Sequence, residues 1–210
     1  MPVGLRFKNS AGTVQVDETY RNLAFRQRIA IGLSHAIGST YHNITVSGRN
    51  VVVAMYSQYY APILLGVSAS GSTWTYRWSF EYRGMGDPTS DTAYLYIFDD
   101  PPAVSSSVGV RVRDAGGSVV YHSDVKPLIL AADPQSSASS FTGTPGRVYA
   151  PLILTASIFT VFGTGNYWYN SFSLRSAGNV ITPVQVTMSL GPPGAHSTGI
   201  YAPVDVTGYV

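Results

Sequence analysis

The chain has 210 residues, a formal net charge of +2 and no cysteine; 45% of its residues are hydrophobic and only 11% are charged. The absence of cysteine excludes disulfides, thiolate metal sites and a cysteine nucleophile. The basic residues are spread along the chain without a dense run, which argues against the clustered positive face that nucleic-acid binding requires.

The charged fraction of 11% is less than half of the roughly 25% found in an average soluble domain. The surface must then be formed largely by Ser, Thr, Tyr, Gly and Asn. Such a surface suits a protein that is buried within an assembly, or one that meets sugars and other proteins outside a cell. A monomer with an unusually neutral surface is the alternative.

The N-terminal residues MPVGLRFKNS contain no apolar stretch of the kind found in signal peptides. The longest apolar run, residues 150–162, has 13 residues and is interrupted by Thr and Ser. A membrane helix needs about 20 apolar residues. We therefore expect synthesis in the cytoplasm without a signal peptide, and no insertion into a membrane.

One hairpin pattern occurs twice, at an offset of 108 − 3 = 105 residues. Residues 3–17 read VGLRFKNSAGTVQVD, and residues 108–122 read VGVRVRDAGGSVVYH. In each copy, apolar residues alternate with Gly or basic residues, and a turn follows with Asn or Asp at its first position and Gly at its fourth. The pattern predicts two β-hairpins, each with one apolar face that needs a further sheet to cover it.

Between the two copies, the sequence predicts further strands. Residues 41–46 and 50–57 are expected to pair as another hairpin. Residues 74–83 (WTYRWSFEYR) show the most regular alternation, with the aromatic side chains on one face. We expect that face to lie in the core, with a ligand platform as the alternative. Residues 93–98 end the first half, and the Pro- and Ser-rich residues 101–107 predict a linker.

The second half repeats this order with less similarity. Residues 60–65 (YAPILL) are echoed by residues 149–154 (YAPLIL), but the offset there is only 149 − 60 = 89 residues. The second unit is therefore shorter, and residues 131–146, rich in Ser and Gly, are expected to form a loop. Residues 180–190 are expected to form its closing strand.

Turn signals recur along the whole chain, and no segment has helical periodicity. This predicts an all-β fold of two tandem, internally repeated antiparallel β-sandwich units. We assign residues 1–100 to the first unit, 101–107 to the linker and 108–190 to the second unit. Residues 191–210 form a C-terminal tail that begins with Gly and Pro.

No pattern in the sequence points to catalysis or to a metal site. The Gly-x-Ser-x-Gly motif of serine hydrolases is incomplete at its nearest matches, around Ser34 and Ser68. The four histidines lack ligand spacing, and the acidic residues form no Asp-x-Asp-x-Asp series. We therefore expect no catalytic residue, no metal site and no cofactor, and we expect that the chain is not an enzyme.

Tyr167, Trp168 and Tyr169 are the candidate residues for binding a glycan or a partner. Consecutive residues of a strand point to opposite faces, so at least one of these rings is turned outward unless another subunit covers it. An exposed aromatic ring can stack on a sugar ring and supply a hydrogen bond.

The C-terminal tail begins a strand without completing a hairpin. Residues 197–200 (STGI) resemble the start of the repeated hairpin at residues 107–110 (SVGV). A strand of this kind can add to the open sheet edge of a neighbouring chain. Ile200, Tyr201, Val204 and Val206 are therefore the predicted assembly residues.

The second hairpin motif, residues 109–120 (GVRVRDAGGSVV), and the preceding residues 98–102 (FDDPP) resemble a group of small β-rich proteins encoded in the tail region of tailed bacteriophages and prophages. The resemblance is confined to residues 3–17 and 94–123. It implies a virion component of the tail tip or fibre region and carries over no catalytic residue.

From these observations, we expect a non-enzymatic structural component of a bacteriophage virion, at the tail tip or tail fibres and in contact with the host surface. Its partners would be other virion proteins and further copies of the chain, with a trimer as the first expectation. Two alternatives stay open. One is a carbohydrate-binding module that recognises bacterial surface glycan, and the other is a head decoration protein.

Overall fold

The computed structural model describes residues 6–8, 12, 14–17, 22–34, 40–81, 88, 90–103, 108–155, 159–162, 167–189 and 199–209. Side chains are described in the same ranges, except for residues 6–8, 14–17, 40, 155, 159–162, 167–172 and 185–189.

The described residues form strands and turns and contain no helix, which confirms the predicted all-β class. In chain order, the strands are β1 (Arg6–Lys8), β2 (Val14–Asp17), β3 (Ala24–Ser34), β4 (Thr40–Ser47), β5 (Val52–Tyr56), β6 (Ala61–Ser70), β7 (Thr73–Glu81), β8 (Ser90–Asp99), β9 (Arg111–Arg113), β10 (Val119–His122), β11 (Gln135–Ser136), β12 (Phe141–Thr142), β13 (Tyr149–Thr155), β14 (Phe159–Phe162), β15 (Tyr167–Ala177), β16 (Val180–Ser189) and β17 (Ile200–Asp205).

These strands form three larger sheets and two separate hairpins, and every pairing is antiparallel. The largest sheet has six strands in the order β11-β17-β13-β5-β8-β3. A three-stranded sheet has the order β4-β7-β6, and a four-stranded sheet has the order β12-β16-β15-β14. The hairpins pair β1 with β2 and β9 with β10.

Both smaller sheets cover the same face of the six-stranded sheet. Leu95 of β8 lies in one core cluster with Trp78 of β7. Tyr201 of β17 lies in a second cluster with Leu174 of β15. Ile153 of β13 packs against both clusters, so the two cores are neighbours within one layered structure.

Segments without regular secondary structure cover part of the opposite face of the six-stranded sheet. Phe98 of β8 and Val204 of β17 lie there in a third cluster, against which Leu128 packs. The ring of Tyr209, near the end of the chain, lies 4.9 Å from the ring of Phe25 and 5.9 Å from that of Phe98. The Tyr209 ring therefore covers the part of the six-stranded sheet that contains the last residues of β8.

The aromatic face of β7 lies in the core, as predicted. Tyr76, Trp78 and Phe80 are 6%, 1% and 1% exposed. Trp74 is half-buried, and its indole N–H donates to the carbonyl of Gly48 at 3.1 Å. The last aromatic residue of the pattern, at position 82, lies outside the described residues.

The two repeated hairpins are confirmed, and they share their backbone geometry. In each, the register skips one residue of the second strand, Gln15 in the first copy and Val120 in the second. The turn glycines Gly12 and Gly117 have φ angles of 83° and 82°. The skipped residues and the glycines both differ by 105 in number, so the sequence repeat is also a structural repeat.

Residues 41–46 and 50–57 do not pair with each other, and this prediction was wrong. β4 pairs with β7 in the three-stranded sheet, whereas β5 pairs with β8 in the six-stranded sheet. The turn between them carries the chain from one layer to the other. Asp99 holds that turn, since its carboxylate accepts the backbone N–H of Arg49 at 3.1 Å and that of Asn50 at 2.7 Å.

The two predicted units share one sheet. β5, from the first predicted unit, pairs with β13, from the second, with Ala54 opposite Leu152. The six-stranded sheet therefore contains strands from both sides of the predicted linker at residues 101–107. Pairing the two edges satisfies backbone groups that two separate sandwiches would leave open.

The C-terminal tail supplies an internal strand of this sheet. β17 lies between β11 and β13, and Pro203 lies opposite Pro151. Tyr201, Val204 and Val206 are 0%, 0% and 2% exposed, whereas Ile200 is 42% exposed. The strand predicted to join a neighbouring chain is thus paired on both sides within its own chain, and these three side chains are part of its core.

Candidate functional site: a tyrosine groove

Two tyrosines lie side by side on the face of the six-stranded sheet that the smaller sheets leave free. Tyr56 of β5 pairs with Tyr94 of β8, and Tyr94 in turn pairs with Ala30 of β3. Residues directly opposite in an antiparallel ladder share a face, so these three form a row across the sheet. The two rings have centroids 6.4 Å apart and planes inclined at 47°.

A groove forms beside this row because the neighbouring strand carries small side chains. Gly32 of β3 pairs with Thr92 of β8, and a Cβ added at Gly32 would meet no atom within 4 Å. The groove has a volume of about 620 Å³, within the range of small-molecule sites. Its lining residues are Gly32, Leu33, Tyr56, Gln58, Ser90, Asp91, Thr92 and Tyr94.

Asp91 pairs with Leu33 and therefore has its side chain on the opposite face of β8 from Tyr94. Its Oδ2 accepts the backbone N–H of Tyr59 at 3.3 Å, and its Oδ1 accepts the backbone N–H of Thr92 at 2.7 Å. The Asp91 carboxylate therefore holds the start of β8 against the turn at Tyr59.

Arg28 lies at one side of the tyrosine row. The central carbon of its guanidinium group lies 4.7 Å from the centroid of the Tyr94 ring, a cation–π contact. The guanidinium also hydrogen-bonds to Tyr96. Burial raises the pKa of the Tyr96 phenol above its ordinary value, and the positive charge of Arg28 opposes that rise.

A second cavity, of about 430 Å³, lies between the second hairpin and the end of the first core. Its charged side chains are Arg26, Arg49, Asp99 and Asp100. The carboxylate of Asp99 is bound to the turn at residues 49–50, and Asp100 accepts the side-chain N–H of Asn50 at 2.7 Å. These carboxylates hold the turn between β4 and β5, whereas the tyrosine groove presents two neighbouring aromatic rings, so we take the groove as the candidate ligand site.

The aromatic residues predicted from the sequence lie on another sheet. Tyr167, Trp168 and Tyr169 begin β15, and the backbone of Trp168 lies opposite Val161 of β14 and Ser189 of β16. Their side chains lie outside the described part of the chain. A role for these residues in glycan or partner binding therefore stays a prediction.

The sequence alone did not predict a ligand site at the tyrosine groove. Tyr94 and Tyr96 alternate with Leu95 and Ile97 in β8, which predicts two different faces for the strand. The pattern does not indicate which of the two faces is covered. Tyr56 and Arg28 come from other strands, and only their register with β8 brings them to Tyr94.

The described residues contain no group of three or more His, Asp or Glu side chains that could hold a metal ion. No helix among them is long and apolar enough to cross a membrane. The fold and the groove together define an all-β protein with an open, tyrosine-lined sheet face. The chain matches no protein-family model, no curated protein and no solved structure.

Proposed function

We propose that this chain is a non-enzymatic structural component of a bacteriophage virion, located at the tail tip or tail fibres. The observation that carries the proposal is the duplicated hairpin, the motif through which the chain resembles tail-region proteins. Both copies form with the same skipped residue and the same left-handed turn glycine. The low charged fraction of 11% supports a surface covered by other proteins.

An uncharged sheet edge also supports assembly. β6 is an outer strand of the three-stranded sheet, and its residues 65–70 are all exposed and carry no charge. Leu65 and Val67 are 39% and 45% exposed. Open edges usually carry charges or proline, which prevent pairing with other chains. Residues 65–70 of β6 contain neither, which suits strand pairing with another virion protein or with a further copy of this chain, a trimer being our first expectation.

Immunogold electron microscopy tests the location. Antibodies raised against the recombinant chain would be applied to particles purified from the bacterium that carries its gene. We expect gold at the distal end of the tail. Absence of the chain from purified particles, measured by mass spectrometry, would contradict the proposal, and gold on the capsid would favour a head decoration protein instead.

Introducing a lysine into β6 tests whether this strand takes part in assembly. Val67→Lys is expected to reduce incorporation into particles, because a buried lysine at a strand-pairing edge opposes association. Leu154→Lys is the matched control, since Leu154 is 48% exposed and lies on β13, an internal strand of the six-stranded sheet. Equal incorporation of the two variants would contradict a role for this edge.

A further inference from the structure

We propose that β6 of one copy of this chain pairs with β4 of a second copy, so that the three-stranded sheets of neighbouring copies join edge to edge in a closed ring. The inference rests on the proposed role of β6 as an assembly edge and names the strand that β6 binds. Three copies with three strands each would form a nine-stranded ring.

Both outer strands of the three-stranded sheet lack the charges that keep strand edges apart. β4 (TYHNITVS) and residues 65–70 of β6 (LGVSAS) contain no Lys, Arg, Asp or Glu. By contrast, β3 is the outer strand of the six-stranded sheet and carries Arg26 and Arg28. Charged side chains on an outer strand oppose pairing with another chain. The three-stranded sheet therefore has an edge suited to pairing on each side.

The core face of the three-stranded sheet is left uncovered at β6. Val67 lies opposite Tyr76 in the ladder, so the two side chains share a face. Tyr76 is 6% exposed, whereas Val67 is 45% exposed. The layer that buries Tyr76 therefore does not extend over Val67. Burial of this apolar side chain requires cover from another chain.

β4 of a second copy would supply that cover. On the core face of β4, Ile44 packs against the first core cluster and Val46 is 5% exposed. When β4 of a second copy lies beside β6, the layer that covers its Ile44 and Val46 comes to lie next to Val67. Pairing β6 with β6 of a second copy would instead place two exposed valines side by side and leave both uncovered. The burial pattern therefore favours β4 as the partner strand.

The strand directions fit a ring of this kind. β4 and β6 are both antiparallel to β7, so they run in the same direction. Rotation about an axis parallel to the strands keeps their direction, so β6 and the neighbouring β4 would pair in parallel. The same rotation keeps the position of each residue along the axis. Because Thr45 and Ser68 both lie opposite Thr75, the ring would place Ser68 beside Thr45 of the next copy.

Disulfide cross-linking of the full-length chain tests this register, because the chain has no cysteine of its own. The double variant Thr45→Cys/Ser68→Cys would be oxidised and analysed on a non-reducing denaturing gel. Within one copy, the two positions are two strand spacings apart, about 10 Å. A disulfide requires Cα atoms within about 7 Å, so any bond must join two copies. We expect covalent dimers and trimers, whereas Thr45→Cys alone and Ser68→Cys alone should stay monomeric on the gel.

Analytical ultracentrifugation keeps the test decisive if the double variant does not fold. The unchanged chain is expected to sediment as a trimer, and Val67→Lys should weaken association by about tenfold or more. Leu154→Lys is the matched control and should remain trimeric, since Leu154 is 48% exposed on an internal strand.

Three results would overturn the proposal. These are a monomeric unchanged chain at all concentrations, no cross-linking of a folded double variant, and disulfide dimers of Ser68→Cys alone, which would indicate pairing of β6 with itself. Particle labelling reports on location only. Trimers of the recombinant chain, together with particles that lack it, would support this interface and contradict the virion location.

Discussion

The carboxylate of Asp99 leaves no room for a side chain at Gly48. A Cβ added at Gly48 would lie 2.4 Å from Asp99 Oδ2 and 2.4 Å from Val51 Cγ2. Glycine is therefore required by close approach at the turn where the chain changes layers.

We predict that Gly48→Ala lowers the free energy of unfolding by about 1–3 kcal/mol, the usual cost of forcing an extra carbon into a packed site. Asp99→Ala is expected to cost about 1–3 kcal/mol as well, because two backbone N–H groups lose their acceptor. The double variant should lose less than the sum, since removing the carboxylate relieves one of the two clashes. Urea denaturation measures all three; additive losses would show that the two residues do not interact.

We predict that Gly117→Ala destabilises the protein by about 1–2 kcal/mol, the cost of placing a side chain in a left-handed conformation. The added Cβ would meet no atom within 4 Å, so the backbone conformation alone causes the loss. Gly66→Ala is the control, because the space there is equally open. Thermal unfolding of both variants checks this, and equal midpoints would contradict the prediction.

We predict that stability falls between pH 10 and pH 12. Burial raises the pKa of Tyr76, Tyr201 and Tyr209 to about 12, from an ordinary value of 10.0. The folded chain then binds more protons than the unfolded chain in this interval, so stability is complete below pH 10 and decreases as the pH rises. Urea midpoints at several pH values, with tyrosinate absorbance, measure the effect.

Tyr209→Phe is the informative variant for this alkaline loss. Its hydroxyl donates to the carbonyl of Pro127, so the variant should be less stable at neutral pH. Because one titrating phenol is removed, its stability should also depend less on pH above 10. An unchanged alkaline slope would show that Tyr209 does not contribute.

We predict that residues 1–103 do not fold when they are expressed alone. In the full chain, Ala54 and Phe98 lie in one core cluster with Val204 and Tyr209, and β5 pairs with β13. The fragment would expose both this apolar face and a sheet edge. Circular dichroism and calorimetry of the fragment test this, with the full chain, which should unfold in one transition, as the control. Cooperative unfolding of the fragment would support two independent units.

Local features of the sequence determined most of the strands and turns. The hairpins at residues 3–17 and 108–122 and the buried aromatic face of β7 were predictable because side-chain alternation and a turn glycine act within a few residues. The groove on β8, by contrast, could not be predicted from local features of the sequence. Its alternation identifies two faces, but the exposure of Tyr94 depends on chain segments far away in sequence.

Only the tertiary structure decided which strands are neighbours. β4 and β5 follow each other in sequence and separate into different sheets, whereas β5 and β13 come from different halves and pair. Backbone hydrogen bonds are nearly the same for any pair of strands, so the choice of partner depends on how whole faces pack. The repeat could therefore be read from the sequence alone, whereas the shared sheet, the core position of Tyr201 and the open groove at Tyr94 follow from packing between distant parts of the chain.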